Sequence, residues 1–139
     1  VYGPYGRPDM AVFIFIKAIL EKKVLNLNNH GKTYRDFTYI SDVVNYFVDC
    51  VKKSTSEKKF FKIFNIGGET NIKLVNLVKK IEKQLKMKAK IKLKPKISLD
   101  PEKTLADTSL IRKYTGKNYK TSIDKGLEIT IKWLKNYLK

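Results

Sequence analysis

Apolar residues in this chain switch repeatedly between helical spacing and strand spacing, and that switching restricts the fold more than any other feature. Helical spacing relates Val12, Phe13, Ile16, Ile19 and Leu20, then Val43, Val44, Phe47, Val48 and Val51. It returns in Leu74, Val75, Val78, Ile81 and Leu85, and again in Ile123, Leu127, Thr130, Leu134 and Leu138, with Trp133 beside them. Between these stripes lie shorter stretches suited to strands: Val24 to Leu27, Thr33 to Tyr39, Phe60 to Ile66, and Lys90 to Lys94. Strands alternating with helices place the chain in the α/β or α+β class.

Local punctuation sets the expected boundaries. Asp9 is a candidate cap for the first helix, which should end near Glu21 to Lys23, and Ser41 for a helix running to about Lys53. Asn29-His30-Gly31 supplies turn chemistry, so the strands at 24–27 and 33–39 are placed to form a hairpin. Ser54 to Lys59 reads as a polar loop, and Gly67-Gly68 ends a largely buried strand where the backbone turns sharply or approaches something closely. The third helix is expected over Lys73 to Lys86, and the next strand has one apolar face with its lysines toward solvent. Pro95 to Thr104 reads as a loop, Asp107 as the cap of a short helix from Thr108 to Tyr114, and Ser122 as the cap of the last helix.

Bulk properties exclude several classes. With 139 residues, 42% of them apolar, the chain can bury a core and reads as one domain or a large part of one. The longest apolar run, Ala11 to Leu20, already contains Lys17 and falls well short of the roughly 20 residues a membrane helix needs. The single Cys50 sits at an apolar helix position and reads as a buried thiol suited to a reducing cytoplasm. His30 lacks partners for a metal site and reads as a turn residue. A net charge of +17 invites a nucleic-acid reading. The lysines, however, occur in almost every segment and form no arginine-rich run or aromatic-interleaved stripe, so no nucleic acid is expected.

Arginine is the informative basic residue. Of 30 lysines and arginines, only positions 7, 35 and 112 are arginine, so a site that uses one calls for a planar fork of donors. Arg35 lies in the alternating stretch Gly31 to Asp42. Arg7 lies in a Gly- and Pro-rich turn that leads into the first helix, where helix amides and a guanidinium together favour an anion. Arg112 reads as a surface charge.

Taken together, Val1-Tyr2-Gly3-Pro4-Tyr5-Gly6-Arg7-Pro8-Asp9-Met10-Ala11, Phe15-Ile16-Lys17-Ala18-Ile19, Asn29-His30-Gly31-Lys32, Arg35-Asp36-Phe37-Thr38-Tyr39-Ile40, Phe64-Asn65-Ile66-Gly67 and Ala106-Asp107-Thr108-Ser109 resemble the C-terminal half of UDP-glucuronate 4-epimerases. These are extended short-chain dehydrogenase/reductase enzymes of the NAD-dependent epimerase/dehydratase family. The resemblance covers essentially the whole chain. It implies a Rossmann-like α/β fold in which residues 1–139 supply the small mixed α/β substrate-binding domain plus a strand and helix of the parallel sheet, the NAD-binding Rossmann portion lying upstream of Val1.

The same resemblance implies a set of substrate-binding roles. Arg7 would lie by the uronate carboxylate, Arg35 on the UDP diphosphate, Leu25 and Asn26 beside the uracil, and Asp100 by the ribose hydroxyls. At the last of these the family's Pro-Gly-Asp is Ser98-Leu99-Asp100. Asp107 is expected to cap a helix, and Asn65 with Gly67 to shape a strand end. No catalytic residue is assigned, because the family's Tyr-x-x-x-Lys is missing: the residues four beyond Tyr114 and Tyr119 are Asn118 and Ile123, and Tyr137 is too near the end. The Gly-rich phosphate turn for NAD is also missing. The complete protein is expected to interconvert UDP-glucuronate and UDP-galacturonate with bound NAD, off the membrane in the cytoplasm, as family members that are often homodimers. The fragment alone is expected to be inactive. The alternatives are a nucleotide-sugar dehydratase or decarboxylase of the same family and, from a different class, a basic nucleic-acid-binding module.

Overall fold

The computed structural model describes residues 1–55, 61–98 and 100–138. Its elements in chain order are helix α1 (Ala11–Leu20), strand β1 (Val24–Leu27), strand β2 (Tyr34–Asp36), helix α2 (Ile40–Ser54), strand β3 (Asn71–Lys73), helix α3 (Leu74–Leu85), strand β4 (Lys90–Leu93), helix α4 (Ser109–Thr115) and helix α5 (Ile123–Tyr137). The fold class is mixed α/β with a parallel strand pair, as the alternating periods imply. No described helix is long and apolar enough to cross a membrane.

One core holds α1, β1, α3 and α5 together. Ile16 and Ile19 of α1, Leu25 and Leu27 of β1, Leu77, Val78 and Ile81 of α3, and Leu127 and Leu134 of α5 are all almost fully buried. Each such side chain contributes about 1.5–3 kcal/mol relative to exposure. These helices therefore orient as their stripes require, and Ser122 caps α5 as expected, its Oγ accepting from the Lys125 amide at 3.3 Å.

Strand pairing departs from the expected hairpin. β1 pairs in parallel with β4 (Leu25 opposite Ile91), and β2 pairs antiparallel with the short strand β3 (Arg35 opposite Ile72). Asn28–Gly31 forms a 3-10 turn with Asn29 and His30 in left-handed conformation, which redirects the chain away from β1 instead of folding it back. Both faces of β4 are exposed, including its apolar one.

Two expected caps are unused. The residue preceding α1 is Met10, with no side-chain cap, because the Asp9 carboxylate is engaged by Arg7. The residue preceding α2 is Tyr39, again without a side-chain cap, so Ser41 lies inside the helix. The residue preceding α4 is Thr108, without a side-chain cap, and Asp107, one residue earlier than a cap, accepts from the Ser109 amide (2.9 Å).

α2 contradicts its stripe more deeply. It packs through Asp42 and Tyr46, whereas Val44, Phe47, Val48 and Val51, expected in the core, face outward. The strand expected at 60–66 is also absent where it is described: residues 61–66 join no ladder, and Phe60 lies outside the described residues. Cys50 is half-buried, and burial, followed by the charge of Asp49, raises the pKa of its thiol.

Candidate functional site

β2 is the axis of the candidate site. β3 flanks one edge, and residues 102–104 run alongside the other: the Tyr34 amide donates to the Glu102 carbonyl (2.8 Å) and the Thr104 amide to the Tyr34 carbonyl (3.2 Å). Arg35 is thus held in a backbone paired on both sides. Its guanidinium donates through Nη1 to the Tyr34 carbonyl at 2.8 Å and through Nη2 to the Asp100 carboxylate. Both side chains of this ion pair are less than half exposed, at 22% and 33%.

Asp100 reaches Arg35 because the chain after β4 is pinned to the 3-10 turn. Asn29 and His30 donate their amides to the carbonyls of Pro95 (3.1 Å) and Lys94 (3.0 Å), and the Asp100 amide donates to the Ile97 carbonyl (3.1 Å). The Asn-His-Gly turn and the Asp100 segment are therefore one structure.

Asp36, next to Arg35 and not singled out from the sequence, organises the opposite side. Its Oδ1 accepts from the Thr70 amide (3.2 Å), its Oδ2 from the Ala106 amide (3.1 Å), and its own amide donates to Thr104 Oγ1 (3.2 Å). Gly67 and Gly68 permit this closeness. A Cβ at Gly67 would lie 2.4 Å from Ala106 Cβ and 2.7 Å from Asp36 Oδ2, and one at Gly68 would lie 2.2 Å from the Phe37 carbonyl oxygen. An acidic residue at a strand end, with a Gly-Gly pair later in the chain, was the available signal.

The remaining candidates divide. Arg7 binds a carboxylate with two donors, as its fork chemistry suggests, but the carboxylate is that of Asp9 (Nε to Oδ1 3.1 Å, Nη2 to Oδ2 2.5 Å). The hydrogen bond from Arg7 lowers the carboxyl pKa of Asp9. The pair is exposed and is not joined to Arg35 by any described contact. Leu25 is buried, so β1 can offer a ligand only its backbone there; Asn26 is exposed. The second edge of β1 carries no strand among the described residues. Arg112 is not a free surface charge: it donates to Glu69 at 3.3 Å, beside Thr108 and Lys120, which also engage that carboxylate. No group of side chains suited to a metal ion occurs among the described residues.

Comparison with known proteins gives these contacts a setting. The sequence profile of the NAD dependent epimerase/dehydratase family matches residues 1–67. An uncharacterized protein of Methanocaldococcus jannaschii is 43% identical over 133 residues, covering 96% of this chain and 40% of that protein. UDP-glucuronate 4-epimerase 4 of Arabidopsis thaliana is 39% identical over 150 residues, covering 99% of this chain and 34% of that protein. The crystal structure of UDP-glucuronic acid 4-epimerase from Bacillus cereus, solved with UDP-glucuronic acid and NAD, superposes with a TM-score of 0.88 at 30% identity, covering 98% of this chain and 43% of that one. The chain spans less than half the length of these relatives. Along nearly all of its own length, it is a relative of the NAD-dependent epimerase/dehydratase family and shares the fold of that family's Rossmann-like nucleotide-sugar epimerases.

Proposed function

We propose that residues 1–139 are the nucleotide-sugar-binding portion of a UDP-glucuronate 4-epimerase. The observation that carries this reading is the meeting of Arg35 and Asp100, two residues 65 positions apart, in one half-buried ion pair. A guanidinium held by its neighbour's carbonyl and by one carboxylate is oriented for a planar, multiply charged acceptor, and a diphosphate competes for it more strongly than a single carboxylate does. Asp100, once exchanged for diphosphate, is free to accept from ribose hydroxyls. The open edge of β1 at Leu25 and Asn26 offers amides and carbonyls to a base. Arg7 receives the sugar carboxylate by exchanging Asp9 for it.

NAD would be bound mainly by the part of the relatives' length that this chain does not span. This chain's sequence contains no Gly-x-Gly phosphate turn and no Tyr-x-x-x-Lys, so no redox step is assigned to its residues. Its contribution is to bind the nucleotide sugar and fix its orientation. By itself it should not turn substrate over.

The test uses the natural polypeptide that carries these residues, assayed for conversion of UDP-glucuronate to UDP-galacturonate, with UDP binding measured by calorimetry. Arg35→Ala should weaken UDP binding by about 10- to 100-fold, the value of a charge-assisted hydrogen-bond pair of about 1.5–3 kcal/mol. Arg35→Lys should recover little of it, because the fork is lost. Undiminished UDP affinity in Arg35→Ala would refute the assignment, and a decarboxylated or deoxy sugar as the sole product would replace epimerase with a sister activity.

A further inference from the structure

The surplus of positive charge is concentrated in one part of the molecule. Residues 79–96 hold nine lysines against one acid, Glu82, and so carry eight of the seventeen net charges. The structure gathers them. Lys79, Lys83 and Lys86 recur at intervals of four and three, along one face of α3, and with Met87 and Lys88 they line a groove at the C-terminal end of that helix. Strand β4 continues the surface with Lys90 and Lys92, alternate residues on one side of the sheet. Glu82 does little to offset this charge, because its carboxylate accepts from the Ala89 amide at 2.9 Å and lies 3.8 Å from Lys88. Lys80 pairs with Asp124 and Lys96 with Glu102. Lys79, Lys83, Lys86, Lys90 and Lys92 are exposed and make no ion pair among the described residues.

Aliphatic side chains are interleaved with those lysines. Ile91 and Leu93 stand opposite Leu25 and Leu27 of β1, which are buried, yet stay 41% and 54% exposed, so the layer of helices that covers β1 stops short of β4. Ile97, just beyond the strand, is 51% exposed. Lysines on an edge strand keep other strands from pairing with it. That role accounts for Lys90 and Lys92, but not for the lysines of α3, nor for leaving Ile91, Leu93 and Ile97 uncovered. The stretch from Lys79 to Ser98 contains no arginine and no aromatic residue. Nucleic acids are gripped by guanidinium forks and by rings that stack on bases, neither of which this face offers. Flexible lysine stems with point charges at their tips, set among aliphatic side chains, match a layer of anionic headgroups over acyl chains.

We propose that the face formed by the C-terminal half of α3 and by β4 docks on an anionic lipid bilayer. Lys79, Lys83, Lys86, Lys90 and Lys92 lie among the headgroup phosphates, and Ile91, Leu93 and Ile97 enter the boundary beneath them. The contact is peripheral and reversible, since the aliphatic area is small and the charge large. Each lysine held at such a surface changes partitioning about fivefold, so three together contribute about 100-fold. The attraction fades as the Debye length falls from about 10 Å at 0.1 M salt to about 3 Å at 1 M. Arg35, Asp36 and Asp100 take no part in it, so the docking face and the proposed nucleotide site are separable.

The test is sedimentation of the natural polypeptide that carries these residues with vesicles of phosphatidylcholine alone, and of phosphatidylcholine and phosphatidylglycerol in equal amounts, at about 0.1 M and about 1 M salt. Binding should occur only with the anionic vesicles and be lost at the higher salt. Lys83→Gln, Lys86→Gln and Lys90→Gln combined should lower partitioning by about 100-fold. Lys113→Gln, Lys132→Gln and Lys135→Gln combined remove the same charge from α4 and α5 and should lower it by less than about threefold. Absence of binding to the anionic vesicles at the lower salt overturns the proposal. So does an equal loss in the two triple variants, which makes the attraction a property of the net charge and not of this face. Tighter binding to a duplex RNA than to the vesicles, lost in the first triple variant, makes the occupant a nucleic acid and overturns the proposal as well.

Discussion

The contact between Tyr2 and Gly126 allows a prediction whose size follows from distances. Tyr2 is 4% exposed, and its ring is held by Phe37 and Tyr39 at centroid distances of 6.3 and 5.6 Å. A Cβ added at Gly126 would lie 2.0 Å from the Tyr2 hydroxyl oxygen and 2.7 Å from Cζ. Normal carbon contacts are about 3.5–4.0 Å, so the ring would have to retreat by more than an ångström into a packed core. Overpacking of that size costs about 3 kcal/mol, against about 1 kcal/mol gained from the better helix propensity of alanine, so Gly126→Ala should destabilise by about 2 kcal/mol. The Tyr2 hydroxyl is itself buried without a hydrogen-bond partner among the described residues, and burial raises its pKa. Tyr2→Phe should therefore stabilise the chain by about 1 kcal/mol and reduce the cost of Gly126→Ala by a similar amount. Urea unfolding of the four members of this double-mutant cycle, at constant m-value, measures both terms. A higher midpoint for Gly126→Ala in the Tyr2 background would refute the packing argument.

Asp36→Ala removes the acceptor for the Thr70 and Ala106 amides and should lower the unfolding free energy by about 2–4 kcal/mol; an unchanged urea midpoint would show that these amides are satisfied elsewhere. For Cys50, the raised pKa means that folding favours the neutral thiol, so any stability it contributes is present at lower pH and is lost as pH rises through the folded-state value. Between pH 7 and 9, iodoacetamide should accordingly alkylate native Cys50 more slowly than the urea-unfolded chain, and equal rates would contradict the burial.

Helices and strands differ in how far the sequence exposes them, for a physical reason. A helix closes its hydrogen bonds within four residues, so α1, α3 and α5 are readable from their own stripes. A strand takes its partner from elsewhere. β1 pairs with residues 66 positions later, a partner that no turn signal between 27 and 33 can indicate, and β3 is only three residues long. Periodicity located the apolar face of α2 but not its direction, because direction depends on what lies opposite. Ser41 and Asp9 had the chemistry of caps, and neither was used as one. In the site, the rarity of arginine marked Arg35, whereas Asp100 was reachable only through resemblance. Asp36 escaped notice because its role is to accept from amides 34 and 70 positions away.

Those separations bear on the order in which the molecule assembles. The clamp around Asp36 and the Arg35–Asp100 pair join residues 34, 65 and 70 positions apart, so each closes a long loop before it gains any energy. The α3 turns need no such closure. Contacts of this kind meet the cost of loop closure before they return any energy. The residues proposed to grip the nucleotide thus join segments distant in the chain, and a bound diphosphate, by bridging them, would act as a further fastener of the fold. Ligand should consequently slow exchange most at the amides of Thr70, Ala106 and Thr104, and least in the interiors of α1 and α3.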